Sequence, residues 1–176
     1  MFVKETALPG AFVIDVEKIG DERGFFAHLW TAEAFAARQL VTRFDHLSLS
    51  FNSEAGTLRG MHYQAPPFAE TKLVRCIRGA IFDVAVDLRP QSPAFRTWTA
   101  VELSADNRRA LYIPAGCAHG FLSLAPDAEV LYMIDAAYSA PHCRGVRWND
   151  PAFGIDWPAA PQVINARDAA YPDFAG

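Results

Sequence analysis

Apolar and polar residues alternate in short runs along most of the chain, which is the period of strands rather than of helices. Ala11-Phe12-Val13-Ile14-Asp15-Val16 reads as a strand, and the turn Asp21-Glu22-Arg23-Gly24 leads into an aromatic strand over Phe25–Trp30. Thr31 can cap an alanine-rich helix running to about Leu40, with Phe35 on its apolar side. Phe44–Asn52 alternates again, with a largely polar face carrying His46, Ser48 and Ser50 and a mostly apolar one carrying Leu47, Leu49 and Phe51. After Gly56–Gln64 and the rigid Pro66-Pro67 break, strands are predicted over Lys72–Arg78 and Ile81–Arg89. In the second of these, Phe82, Val84, Val86 and Leu88 make one apolar face, which leaves Asp83 and Asp87 together on the other and suggests a polar cavity. Phe95–Leu103, Ala110–Ile113, a strand start within Pro114–Phe121, and Glu129–Tyr138 follow, the last with Tyr132 and Tyr138 on one face. The tail, with Trp148-Asn149-Asp150-Pro151 and Trp157-Pro158, is irregular and aromatic and is expected to wrap the sheet and supply residues to its mouth. Many short strands with Gly/Pro turns, and neither repeat nor linker, predict one mainly β domain over residues 1–176, an antiparallel jelly roll with few short helices.

Composition narrows the class. With 176 residues, 51% of them hydrophobic, the chain can bury a core without staples. Its three cysteines, Cys76, Cys117 and Cys143, are odd in number and unevenly spaced, which argues against a disulfide framework and a cysteine zinc site and fits a reducing cytoplasm. No apolar run approaches membrane-spanning length and the N-terminus lacks the layout of a secretory signal, so a soluble, cytoplasmic protein is expected. A formal charge of -4 without a basic block argues against nucleic acid as a partner, although a single nucleotide needs only a local cationic pocket.

The richest chemistry lies in Gly56-Thr57-Leu58-Arg59-Gly60-Met61-His62-Tyr63-Gln64, which places a cation, an imidazole and a phenol within five residues. In a regular strand Arg59 and His62 would face opposite sides, but a bulge at Gly60 would put both on one wall. A metal is not favoured, because His62 has Gly60 and Gln64 as same-face neighbours and His119 is at best one further ligand. Acid-base chemistry suits the residues better, since a neutral imidazole accepts a proton near pH 7 when a carboxylate fixes its tautomer. Asp83, on the polar strand face, and Asp168, in the tail, are both candidates for that carboxylate, and spacing does not choose between them. Lys72 and Arg59 suit an oxyanion or a diphosphate, and Tyr132 could deliver a proton from elsewhere in the cavity, a set that points to proton abstraction beside a carbonyl. Structural roles compete at each position. His62 could be a hydrogen-bonded structural residue, His119 a turn residue, Tyr132 and Tyr138 core or rim aromatics, Asp83 and Asp87 arginine partners, Arg23 a solvated turn residue and Phe26 core.

The motifs Asp21-Glu22-Arg23-Gly24-Phe25-Phe26, Leu58-Arg59-Gly60-Met61-His62-Tyr63-Gln64, Lys72-Leu73-Val74-Arg75, Asp83–Arg89, Ile113-Pro114, His119-Gly120-Phe121, Trp148-Asn149-Asp150-Pro151 and Trp157-Pro158 occur in this order along nearly the whole chain. In them the sequence resembles the dTDP-4-dehydrorhamnose 3,5-epimerases, cupin-type jelly-roll enzymes of deoxysugar biosynthesis. The resemblance implies that His62 is the base at C3 and C5 of a 4-keto sugar, with Asp168 as its carboxylate partner, Lys72 stabilising the enolate and Tyr132 reprotonating from the opposite face. It further implies that Arg23, Arg59, His119 and Arg167 contact a nucleotide-diphosphate 4-keto-deoxysugar, and that Phe26 and Tyr138 flank the base. It implies no cofactor and no metal, and a homodimer formed by exchange of N-terminal strands, for which Phe12-Val13-Ile14 is apolar enough. At the nucleotide end, His28 stands where many members have a carboxylate, Leu47-Ser48-Leu49 where they have Gln-Asp-Asn, and Cys143 where they have glutamate. The remaining possibilities are a sugar-nucleotide-binding module without turnover, a single-centre epimerase, and a metal-dependent cupin.

Overall fold

The computed structural model describes residues 1–175. In chain order the strands are β1 (Phe2–Glu5), β2 (Phe12–Asp15), β3 (Ile19–Asp21), β4 (Gly24–Phe26), β5 (His46–Asn52), β6 (Thr57–Gln64) and β7 (Lys72–Arg78). They continue as β8 (Ala80–Asp87), β9 (Trp98–Ser104), β10 (Ala110–Ile113), β11 (Cys117–Ser123), β12 (Ala128–Ile134), β13 (Cys143–Gly145) and β14 (Val163–Ile164). Helix α1 (Ala32–Ala36) follows β4 and helix α2 (Ala166–Ala169) follows β14. One sheet runs β1-β2-β10-β7-β12-β5, a second runs β13-β6-β11-β8-β9 with β14 beside β6, and β3-β4 is a separate hairpin. Every pairing is antiparallel except β14 on β6, giving the jelly-roll arrangement expected from the alternation. Among the described residues no helix is long and apolar enough to cross a membrane.

Period-two patterning sorts the apolar residues into three layers. Val74, Leu111 and Val130 from the first sheet meet Ile81, Leu103 and Phe121 from the second in the central core. The outer face of the first sheet is covered by Trp30, Phe35, Leu40 and Phe44 of the segment after β4. The outer face of the second, with Val84 and Val86, is covered by Val146, Phe153, Trp157 and Phe174, so the tail wraps the sheet as its aromatic content predicts. Asp83 and Asp87 therefore face the central layer, but they do not share a cavity. Asp87 accepts from Arg89 Nε at 2.9 Å and Ser92 Oγ at 2.6 Å and fastens the end of β8. Burial raises its carboxyl, but the bonds from Arg89 and Ser92 outweigh burial and hold it below the usual carboxylate range.

Three elements depart from the expectations. Thr31 Oγ1 does cap α1 by accepting from Ala34 N at 3.2 Å, but the helix stops at Ala36. Gln39 turns into the left-handed region (φ 58) and Leu40 N–H returns to Phe35 O, so packing of Phe35 and Leu40 under the sheet overrides the local alanine propensity. The strand predicted over Phe25–Trp30 ends at Phe26, and the strand predicted to Tyr138 ends at Ile134.

The bulge is present. On β6 and β11, His62 pairs with His119 while Arg59 pairs with Phe121, so three steps along β6 answer two along β11. The seam needs glycines. At Gly60, where φ is +135, a Cβ would stand 2.5 Å from Gly120 Cα and 3.1 Å from His119 O. Gly60→Ala is expected to destabilise the protein by about 3 kcal/mol or more through strain and overpacking. Urea unfolding checks this as a lowered midpoint at unchanged slope, and an unchanged midpoint contradicts the close approach.

Candidate active site

Between the two sheets, at one end, lies a cavity of about 340 Å³. His62, Lys72, Tyr132, Asp168, Arg59, His119, Tyr138 and Arg167, drawn from both sheets and the tail, all line it. The bulge in β6 turns Arg59 and His62 onto the same wall. Across from them β12 presents Tyr132 and β7 presents Lys72.

The tail decides which carboxylate serves His62. β14 lies parallel to β6, with Val163 beside Thr57 and Ile164 beside Leu58, and delivers α2 to the bulge. Asn165 Oδ1 caps that short helix by accepting from Asp168 N at 2.7 Å. Asp168 Oδ1 then stands 2.8 Å from His62 Nε2, and Oδ2 accepts from Gly60 N–H at 3.0 Å. Burial raises the Asp168 carboxyl, but the His62 bond, the Gly60 N–H and the charges of His62 and Arg167 outweigh it and hold the group below its ordinary range. An ionised carboxylate only accepts, so it keeps a proton on Nε2 and leaves the lone pair of neutral His62 on Nδ1. Arg167 lies against the same pair, with Nε 3.4 Å from Asp168 Oδ1 and Nη2 3.3 Å from His62 Nε2.

Asp83 belongs to a different imidazole. Its Oδ1 is 2.7 Å from His119 Nε2, both side chains are buried, and among the described residues Oδ2 has no hydrogen-bond partner. Burial raises the Asp83 carboxyl against the opposing pull of His119 and Lys72. His119 thus sits on β11 as an anchored wall residue rather than in a turn, its ring 6.1 Å from that of Tyr132. Tyr132 Oη lies 3.0 Å from Ser50 Oγ, and burial raises its phenol well above the ordinary tyrosine range. At neutral pH it is a proton donor, not a phenolate.

Lys72 Nζ lies 3.4 Å from His62 O and 3.0 Å from Glu70 Oε1. Arg59 is braced by Asn52 Oδ1 at 2.7 Å and Phe51 O at 3.0 Å. Tyr138 lies beyond the end of β12 and is exposed at the cavity mouth, neither core nor strand. Arg23 and Phe26 are not in this chain's cavity. They project from the β3–β4 hairpin, Arg23 bound to Asp21 of its own turn and Phe26 exposed, with His28 edge-on to Phe26 at 4.9 Å. Leu47 and Leu49 point outward from β5, whereas Cys143 lines the cavity, its Sγ 3.8 Å from Gln64 Oε1.

Further lining residues that the sequence did not single out for the site include Ser50, Glu70, Arg144, Asn165 and Tyr171. Ser50 carried a signal, because it shares a strand face with Ser48 at spacing two, and Glu70 stands two residues before Lys72, just ahead of β7. Tyr171 carried none. Its ring fills the space beside Gly145, where a Cβ would fall 2.1 Å from Tyr171 Cζ, and meets His62 edge-on at 6.2 Å. Among the described residues no three His, Cys, Asp or Glu side chains converge as a metal site.

A base oriented by a buried carboxylate, a protonated phenol on the facing sheet, and an ammonium on the same cavity wall can remove a proton from one face of a carbon beside a carbonyl and return one to the other face of the planar carbanion. A family model described as dTDP-4-dehydrorhamnose 3,5-epimerase matches residues 5–176. A protein of that name from Sinorhizobium fredii is 40% identical over 175 residues, covering 99% of this chain and 90% of the relative. The Bacillus anthracis enzyme of the same name, solved with TDP and PPi bound, superposes with a TM-score of 0.94 at 40% identity over 98% of this chain and 99% of that one. A Legionella pneumophila dTDP-6-deoxy-D-glucose-3,5-epimerase in complex with dTDP-4-keto-L-rhamnose gives a TM-score of 0.89 at 37% identity over 97% and 90% of the two chains.

Proposed function

Since the chain belongs to the dTDP-4-dehydrorhamnose 3,5-epimerase family, we propose that it inverts C3 and C5 of a nucleotide-linked 4-keto-6-deoxy sugar, converting dTDP-4-dehydro-6-deoxyglucose to dTDP-4-dehydrorhamnose. In this account residues 1–176 act as a single epimerase domain, in a cytoplasm whose reducing state suits the three free thiols. His62 Nδ1 removes the proton beside the 4-keto group, and Asp168 stabilises the imidazolium that forms. Lys72 donates to the enolate oxygen, and the Tyr132 phenol delivers a proton to the other face of the planar carbon. Solvent then takes a proton from His62 and returns one to Tyr132, so each inversion leaves the protein unchanged. The observation that carries the proposal is the placement of base and acid on facing sheets, His62 on β6 and Tyr132 on β12, with the cavity between them. Inversion needs removal and delivery on opposite faces, which one residue cannot perform in place. Arg59 and Arg167 suit the diphosphate, His119 the sugar, and Tyr138 at the mouth the flat base.

Proton NMR of dTDP-4-keto-6-deoxyglucose incubated with the enzyme tests this directly. Inverted configuration at both carbons is expected. Inversion at one carbon alone marks a single-centre epimerase, and an unaltered sugar that nevertheless binds marks a module without turnover.

Arg23 and Phe26 fit as substrate contacts only if the β3–β4 hairpin reaches the cavity of a second copy. We therefore propose a homodimer. The exposed apolar residues Ile19, Phe26, Leu47, Leu49 and Phe51 are the surface it would bury. Within the single chain, β2 lies between β1 and β10. Sedimentation is expected to give a dimer across a hundredfold dilution, on the order of a stable interface, and Arg23→Ala is expected to raise KM with little change in kcat. A persistent monomer contradicts both.

A further inference from the structure

Glu70 is a carboxylate inside the cavity that the proton transfers do not use. Its Oε1 stands 3.0 Å from Lys72 Nζ, and the two side chains are 12% and 9% exposed. Among the described residues it makes no other ion pair. The backbone beside it is tied down, since Thr71 N–H donates to Asp135 Oδ1 at 2.6 Å and Asp135 N–H donates to Thr71 O at 3.3 Å. Glu70 is therefore a fixed point at the cavity wall.

Lys72 needs such a point. A lysine ammonium ends a flexible four-carbon stem, and in a cavity an unpaired cation is costly. Among the described residues its one other acceptor is His62 O at 3.4 Å, long for a hydrogen bond. Asp83 is close enough to feel the charge of Lys72 but is bonded to His119. An ammonium has three donors, so Glu70 and His62 O leave at least one for a ligand. At spacing two on extended chain, Glu70 and Lys72 fall on the same side, which lets the carboxylate hold the ammonium without crossing the cavity.

We propose that Glu70 is a positioning residue for Lys72: it fixes the ammonium on the wall beside the His62 strand, so that the free N–H meets the enolate oxygen as it forms. The purpose assigned to Lys72 rests on the epimerase proposal, whereas the Glu70–Lys72 pairing stands without it.

Two measurements keep these separate. The chain has three lysines, Lys4, Lys18 and Lys72, so the two on the surface serve as internal references for competitive acylation with acetic anhydride, read by mass spectrometry. Glu70→Ala is expected to raise the labelling of Lys72 relative to Lys18 at least about fivefold, because an amine without its counter-ion is no longer held against the wall and is freer to meet the reagent. An unchanged ratio in a variant with wild-type melting overturns the pairing, whether or not the enzyme turns over a sugar. In turnover, Glu70→Ala is expected to lower kcat about ten- to hundredfold with KM within about threefold, and Glu70→Gln, whose amide oxygen accepts the same N–H, to recover to within about fivefold of wild type. Three results overturn the positioning role: an alanine variant within about twofold of wild type, a KM effect without a kcat effect, or a glutamine variant no better than alanine.

Discussion

A His62→Ala enzyme is expected to lose proton exchange at C3 and C5 by about a thousandfold or more, the scale of removing a well-placed general base. The binding of the sugar nucleotide is expected to stay within about threefold, because in the proposed complex the diphosphate and base would meet Arg59, Arg167 and Tyr138, which line the cavity, rather than the imidazole. The orientation of His62 makes the expectation specific. Asp168 occupies Nε2, so Nδ1 is the only basic atom of the ring open to substrate. Exchange by NMR and affinity by calorimetry separate the outcomes. Retained exchange removes His62 as the base, and weakened binding with normal turnover of bound sugar makes it a contact only.

Tyr132→Phe is expected to separate two events that the wild-type enzyme couples. Removing the hydroxyl leaves the ring in place and costs the bond to Ser50, about 1 kcal/mol of stability. His62 can still take the proton and return one to the same face, so solvent exchange persists. Delivery to the opposite face should fall about a hundred- to ten-thousandfold. In deuterated water the variant is expected to put deuterium into substrate of unchanged configuration, visible as loss of the ring-proton signals without new product signals. Product formed at the wild-type rate contradicts the assignment of Tyr132 as the acid.

Much of the site was readable from local pattern because its residues lie on strands. Alternation gave Tyr132 a defined strand face, and the glycine at 60 marked where a bulge could turn Arg59 and His62 onto one wall, as it does. The partner of His62 was not readable from spacing. Asp83 and Asp168 lie 21 and 106 positions from it, and only the run of β14 along β6 brings the second to Nε2 and leaves the first to His119. The family resemblance chose Asp168, and the geometry has the same pair. Local propensity failed where packing outweighed it. The alanines of α1 favour a longer helix than the left-handed turn at Gln39 allows, and the aromatics after Gly24 suggest a strand where only a three-residue hairpin arm forms. Arg23 and Phe26 illustrate a different limit, since in the proposed homodimer they would serve a neighbouring copy, and the contacts of their own chain do not mark such a role.

In the proposed reaction protons at two carbons are taken by His62 on one sheet and replaced by Tyr132 on the other. Incubating the wild-type enzyme with dTDP-4-keto-6-deoxyglucose in deuterated water, and locating deuterium and configuration together by NMR, tests it most directly. Product inverted at C3 and C5 with deuterium at both carbons is expected, since each new C–D bond draws on a solvent-exchanged phenol. Inverted product that retains the original protons at C3 and C5 would contradict it, because the same hydrogen would then have crossed from one face to the other.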